Sequence, residues 1–311
     1  MKSAVFISSA EASSGLYAQR LIESLKNNGR DIGFFGVGTP EMEKLGFERI
    51  GKSEEMAVVG IFEVIPKIAL LKRVLEKTTE EIKKRKPKLI ILMDYSGFNL
   101  RLAKRIKHLG IPMIYYVSPQ IWAWKKYRIN LIKKYIDKMI VILPFEESFY
   151  KENGIEAEFV GHPLLDEVSE RILTREYQLA ERSKFGVSEK DHLLGLMPGS
   201  RRSEIRNHLE TQLKTAEIVS QKVPNLKIAV LVAPTLSIEE LQKFMPENHS
   251  LNLIFVKREP FEMVSICDTI LCASGTATLT VGILEKPMVI MYKAAALSAF
   301  LAKQIIKLPN F

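Results

Sequence analysis

The chain has 311 residues, 47% of them hydrophobic and 26% charged, a globular composition that excludes a disordered polymer and suffices for two domains of ordinary size. No window of about 18 apolar residues is free of charge, so no membrane-spanning helix is expected. The apolar run Ala4–Ile7 is too short for a signal-peptide core, so a cytoplasmic location is expected. The net charge of +9 is uneven: residues 1–150 hold 26 Lys and Arg against 16 Asp and Glu, whereas residues 151–311 hold 19 against 20. A basic half suits an anionic surface, unless it is only a solvated lysine-rich exterior.

Short apolar runs alternate with helical patterns. Strands are predicted at Ala4–Ser8, Lys88–Met93, Pro112–Val117 and Lys138–Leu143, then at Leu193–Met197, Lys227–Val232, Leu251–Val256, Thr269–Ala273 and Pro287–Tyr292. Most are continuous rather than alternating in pattern, as strands buried on both faces of a parallel sheet are. Helices are predicted over Tyr17–Asn27, Pro66–Lys86, Leu100–Leu109, Lys125–Tyr135, Ser203–Val223 and Ile238–Met245. The fold class is therefore α/β, with doubly wound parallel sheets. The alternation pauses over Leu164–Asp191, which reads as a linker (166–190) between a domain at 1–165 and another at 191–311. Cys267 and Cys272 fall in or near apolar strand-like stretches and read as buried free thiols.

Five strings carry chemistry. Ser8–Gly15 follows the first strand as a small-residue turn in which Ser13 or Ser14 can cap the next helix. Glu11 there would repel a phosphate and suits polar groups of a sugar or acyl chain, or the loop is a plain cap. Asp94 closes another strand, where an ionised carboxylate can take a proton from an attacking hydroxyl; as a helix cap it is less natural, because Asn99 stands closer to the helix. Tyr115–Arg128 holds both tryptophans, Trp122 and Trp124, followed by Lys125, Lys126 and Arg128, a mixture that favours a sugar, phosphate or membrane interface. It can also stack bases, but it is short and no nucleic-acid signature accompanies it, so no nucleic-acid partner is expected. Pro198-Gly199-Ser200-Arg201 runs from a strand into a helix and can cradle a diphosphate, without being a Walker A loop. Ser274-Gly275-Thr276 repeats that geometry later in the same half.

His162, alone, reads as structural, and no cluster has metal-ligand spacing, so neither metal nor cofactor is expected. The aliphatic segment Met56–Leu75, with its basic end, fits a core helix or a membrane-surface segment.

The chain resembles the lipid-A-disaccharide synthase family along nearly its whole length. The carrying motifs are Glu-Ala-Ser at 11–13, Met-Ala-Val-Val-Gly-Ile-Phe-Glu-Val at 56–64, Tyr-Val-Ser-Pro-Gln-Ile-Trp-Ala-Trp at 116–124, Leu-Pro-Phe-Glu at 143–146, Val-Gly-His-Pro-Leu at 160–164, Pro-Gly-Ser-Arg at 198–201 and Ala-Ser-Gly-Thr-Ala-Thr-Leu at 273–279. The resemblance implies a GT-B fold of two Rossmann-like domains facing a cleft. It implies a metal-free, inverting transfer from UDP-2,3-diacylglucosamine to the 6-hydroxyl of 2,3-diacylglucosamine 1-phosphate (lipid X). Asp94 would be the base, with Glu11 also important. Gly199, Ser200, Arg201, Ser274, Gly275 and Thr276 would hold the UDP-sugar. Ser13, Trp122, Trp124, Lys125, Lys126 and Arg128 would face the lipid acceptor or an anionic membrane surface, on the inner side of the cytoplasmic membrane; a homodimer is a further partner considered.

Three departures stand out. Gly15 replaces a usual Asp, Thr280 a usual Glu, and the chain ends inside the motif Lys307-Leu308-Pro309-Asn310. Two expectations follow: an enzyme whose C-terminal segment is truncated, or a diverged, non-catalytic nucleotide-sugar- or lipid-binding relative.

Overall fold

The structure, a computed structural model, describes residues 3–29, 31–56, 64–122, 126–246 and 250–293. The chain divides between Pro163 and Leu164 into two compact units. The first carries seven strands: β1 (Ser3–Ser9), β2 (Ile32–Gly38), β3 (Phe47–Lys52), β4 (Leu89–Met93), β5 (Met113–Tyr116), β6 (Lys138–Val141) and β7 (Ala157–Phe159), in the order β3-β2-β1-β4-β5-β6-β7. The second carries β8 (His192–Met197), β9 (Leu226–Leu231), β10 (Leu253–Val256), β11 (Thr269–Ala273) and β12 (Met288–Met291), in the order β10-β9-β8-β11-β12. All neighbours run parallel, so the expected pair of doubly wound sheets is borne out.

Continuous apolar strands need cover on both faces, and helices supply it. In the first unit Phe6, Ile90, Leu92 and Met113 share one core with Leu102, Ala103 and Ile106 of the Ser96–Ile106 helix and Ile132 of the Ile129–Tyr135 helix. Each of the Phe, Ile, Leu and Met side chains among them stabilises the fold by about 1.5–3 kcal/mol. In the second unit Ile205, Leu209 and Leu213 of the Arg202–Ser220 helix pack on Leu194, Leu196, Ile228 and Val230.

In each sheet the strand order reverses once, between β1 and β4 and between β8 and β11. Crossovers depart from such a switch point in opposite directions, which opens a crevice at the carboxyl ends of the two strands. The register there is direct, with Ser9 opposite Met93 and Met197 opposite Cys272.

The stretch 164–191 contains the helices Glu170–Leu173 and Arg175–Lys184 and no strand. It packs with the second unit: buried Arg182 bonds both carboxylate oxygens of Asp268 at 3.0 and 3.1 Å. Cys267 and Cys272 are free and buried, as expected. Of the aliphatic segment, Met56 ends the short Ser53–Met56 helix, residues 57–63 lie outside the described residues, and the part from Val64 begins the Val64–Arg85 helix. Among the described residues, no helix is long and apolar enough to cross a membrane.

Candidate functional site

Glu11 stands two residues beyond β1 and Asp94 one beyond β4, so the first switch point brings the two expected acids together. Their carboxyl groups come within reach of a hydrogen bond, which joins them when one of the two carries a proton. Burial pushes the Asp94 carboxyl above the ordinary Asp range, and its bonds to the Tyr95 N–H and to Glu11 hold it back only partway. A carboxylate raised in this way is a better proton acceptor near neutral pH than a solvated one.

The turn that carries Asp94 is unusual. Asp94 and Tyr95 both have left-handed backbones, with φ of 46° and 36°. The Asp94 carbonyl accepts hydrogen bonds from the Tyr115 hydroxyl and from Asn99 Nδ2, the latter at 2.9 Å. Asn99 is therefore not the helix cap that its position suggests. The helix starts at Ser96, and Asn99 is buried inside it, with Oδ1 accepting from Ser8 Oγ at 2.6 Å. Likewise the cap of the Ala12–Asn27 helix is Glu11, not Ser13 or Ser14; Ser14 Oγ lies 3.4 Å from the Glu11 backbone N–H. A β-carbon on Gly15 would stand 2.4 Å from Thr39 Cγ2, so the Asp expected at this position would fit this backbone only if Thr39 moved.

Of the aromatic–basic string, Arg128 belongs with the Asp94 turn, because its Nη1 donates to Ser96 Oγ. Half-buried Trp122 packs edge-on against Phe145, with ring centroids 5.0 Å apart, and its Nε1 donates to Glu146 Oε1 at 3.2 Å. Glu146 is buried, which pushes its carboxyl up; it also accepts the Leu143 N–H at 3.2 Å. Lys126 is exposed. Trp124 and Lys125 lie outside the described residues, as does the side chain of Ser13. His162 packs edge-on against Tyr17 at 5.8 Å, and burial lowers its pKa.

The second switch point brings together the two phosphate-loop candidates. Gly199 has φ of 126°, and the Ser200 and Arg201 N–H groups both point at Glu204 Oε2, at 2.9 and 3.3 Å. These donors stand at the start of a 19-residue helix, so they bind a carboxylate oxygen where an anion is favoured. Two buried side chains brace the loop from below. His208 Nδ1 lies 3.1 Å from the Pro198 carbonyl while its Nε2 accepts the Lys293 N–H at 3.0 Å, and Gln212 Nε2 donates to the carbonyls of Met197 and Leu271 at 3.1 and 3.2 Å. Ser274, Gly275 and Thr276 are exposed at the end of β11, beside that loop. Thr280, which stands where a Glu is expected, is buried.

Sequence reasoning missed Asn99, Tyr115, Glu146 and Glu204. Glu146 and Glu204 left a usable signal: each is an acid three residues after an N-cap, Leu143 and Arg201, which is half of a capping box.

A family model described as lipid-A-disaccharide synthetase matches residues 5–310. The chain is 36% identical over 303 residues to the lipid-A-disaccharide synthase of Myxococcus xanthus (strain DK1622), covering 97% of this chain and 78% of the relative. It is 38% identical over 306 residues to that of Trichlorobacter lovleyi, covering 98% and 79%. Among solved structures it resembles the UDP-GlcNAc 2-epimerase from Neisseria meningitidis bound to UDP-GlcNAc, with a TM-score of 0.58 at 12% identity over 99% of this chain and 87% of that one. It also resembles CalG4, the calicheamicin glycosyltransferase, with a TM-score of 0.56 at 15% identity over 98% and 83%. At these identities the structural likeness speaks to the fold alone.

Proposed function

The chain belongs to the lipid-A-disaccharide synthase family, a family of glycosyltransferases that build the lipid A disaccharide, and from that premise we propose how its residues divide the work. The first unit receives 2,3-diacylglucosamine 1-phosphate, and Asp94 takes the proton of its 6-hydroxyl. That oxygen bonds to the anomeric carbon of UDP-2,3-diacylglucosamine as the bond from that carbon to the diphosphate oxygen breaks. The sugar inverts, and UDP leaves with the electron pair. The observation that carries this reading is the pair of Glu11 and Asp94, within hydrogen-bonding reach of each other at the first switch point, with Asp94 raised toward the working range of a base. Arg128, tied to the same turn through Ser96, supplies the positive charge that suits the acceptor's phosphate.

In the second unit the Ser200 and Arg201 N–H groups and the Arg201 guanidinium take the diphosphate, with Ser274–Thr276 beside them. These fixed donors absorb the leaving-group charge, so the transfer needs neither metal nor cofactor. The first unit works on the inner surface of the cytoplasmic membrane, which holds the lipid acceptor, and its basic surplus supports that placement.

The test is Asp94→Asn. Turnover is expected to fall by roughly 10²–10⁴-fold with UDP affinity unchanged. Near-normal turnover would remove Asp94 from the role.

A further inference from the structure

We infer that Tyr115 and Asn99 are positioning residues for this reaction: by binding the Asp94 backbone carbonyl they hold Asp94 in a left-handed turn and so fix where its carboxylate stands. The inference rests on the reading of Asp94 as the base.

Six non-glycine residues have positive φ among the described residues: Lys86, Asp94, Tyr95, Val117, Asn225 and Glu285. Lys86, Asn225 and Glu285 are single residues that precede β4, β9 and β12, at the amino ends of strands. Isolated left-handed residues are ordinary where a helix or turn leads into a strand. The other three gather at the carboxyl ends of the paired strands β4 and β5, around the proposed base. Val117, at φ of 65°, is β-branched, and such a residue is strained in this region. Strain of this kind persists only where its surroundings over-determine it, and it concentrates at functional sites.

Here the determinants can be named. Tyr115 lies in β5, paired with Leu92 of β4, and its hydroxyl reaches past the strand end to the Asp94 carbonyl. Asn99 uses both Nδ2 hydrogens, on Met93 O at 3.0 Å and Asp94 O at 2.9 Å, and its Oδ1 accepts from Ser8 Oγ. That pattern fixes the amide orientation, because a flipped amide would set its oxygen against two carbonyls. The Asp94 N–H donates in turn to Val117 O at 3.3 Å, locking the two strained segments together. Ser8, Asn99 and Tyr115 are all fully buried, at 0% exposure, so they act on a substrate only through what they hold. What they hold is the turn that directs the Tyr95 N–H onto the Asp94 carboxylate.

The experiment is a double-mutant cycle on the full chain. Tyr115→Phe keeps the ring in the core and removes one oxygen; Asn99→Ser is the second variant, should the first fail to fold. Each is combined with Asp94→Asn, with thermal melts recorded alongside. Tyr115→Phe alone is expected to lower kcat by about ten- to a hundredfold, as displaced catalytic groups do, with KM for UDP-2,3-diacylglucosamine unchanged. In the Asp94→Asn background it is expected to change kcat no further, because the residue it positions is already disabled. A merely structural role lowers kcat by the same factor in both backgrounds, and that result, or an unchanged kcat in the single variant, would overturn the inference. Should Asp94→Asn itself leave turnover intact, the base reading fails first and takes the inference with it.

Discussion

Glu204 binds Arg201 twice: its Oε2 accepts the Arg201 backbone N–H at 3.3 Å and its Oε1 the guanidinium Nη1 at 3.0 Å. The backbone contact belongs to the cap of a long helix, while the guanidinium contact is an exposed ion pair. Exposed pairs contribute only about 0–1 kcal/mol, so the arginine is free to leave its acid for a diphosphate. Arg201→Ala should then weaken UDP binding by about 1.5–3 kcal/mol, and Lys should rescue poorly, because a point charge lacks the two-pronged fork. Calorimetric titration with UDP decides this, and equal affinity in wild type and Arg201→Ala would refute it.

The two loop glycines should respond differently to alanine. A β-carbon on Gly199 would lie 2.5 Å from Glu204 Cβ, in a backbone with φ of 126°. Gly199→Ala is expected to destabilise the fold by about 1–3 kcal/mol and to weaken UDP binding as the loop deforms. Gly275 has no atom within 4 Å of the same position, so Gly275→Ala should melt like the wild type. Any loss of UDP affinity in that variant would come from the methyl meeting the ligand. Melting curves for both proteins, with and without UDP, check the pair of expectations.

Asp94 should show opposite signs in stability and in turnover. Burial raises its folded pKa above the unfolded value of about 3.9. Its contribution to stability is therefore fully present below that value and is lost as pH rises through the folded pKa. At neutral pH the ionised form weakens the fold, so Asp94→Asn should raise the thermal midpoint there. That gain should shrink as the pH falls toward 4, where wild-type Asp94 becomes protonated. Turnover should fall over the same acid range. An equal midpoint difference at pH 7 and pH 4 would argue against the buried-carboxylate account.

The parts of this fold that were legible in sequence are those whose physics is local. Nine strands stood out as buried apolar runs between helices. The three that did not are β2, whose run Ile-Gly-Phe-Phe-Gly-Val-Gly is broken by glycines, β3, which is polar in part, and the three-residue edge strand β7. Asp94 and Glu11 stand out as candidates because chemistry collects at strand ends, and the structure brings the two together there. Asn99 and Tyr115 do not stand out, since an Asn near a helix start resembles a cap and a Tyr in a strand resembles core. Their roles depend on β5 lying beside β4, a long-range pairing with no local trace.

Glu146 should matter more for its oxygens than for its charge. Glu146→Ala leaves the Trp122 Nε1 and the Leu143 N–H without their acceptor, at a cost of about 1–3 kcal/mol. Glu146→Gln keeps one oxygen and should lose less. Only two tryptophans are present, so Trp122 emission can be read alone in a Trp124→Phe background. A red shift on Glu146→Ala but not on Glu146→Gln is the expected signature, and denaturant unfolding supplies the energies. Identical spectra in all three proteins would mean that the hydrogen bond does not hold the indole.

One face of the first unit is suited to an anionic membrane surface. The helices Val64–Arg85, Ser96–Ile106 and Ile129–Tyr135 pack in succession and expose Arg73, Arg101, Lys104, Arg105, Lys133 and Lys134. Ile68, on the first of them, is 55% exposed. The Ala12–Asn27 helix forms the crossover from β1 to β2, which steps the other way along the sheet, and right-handed connections place it on the opposite face. Anionic lipid attracts each surface Lys or Arg by roughly 1 kcal/mol within a Debye length of about 8–10 Å, and an inserted apolar side chain adds a contribution that salt does not screen. The protein should therefore bind anionic vesicles reversibly, with most of the binding lost as salt rises. Reversing Lys126, Lys133 and Lys134 to Glu should weaken vesicle binding and leave UDP affinity in the second unit intact. Reversing Arg20 and Lys44, on the other face, should do far less. A basic exterior that is only solvated predicts weak binding indifferent to which face is changed. Co-sedimentation with anionic and neutral vesicles at two salt concentrations separates the outcomes, and a wild type that ignores anionic vesicles at low salt would end the interfacial reading.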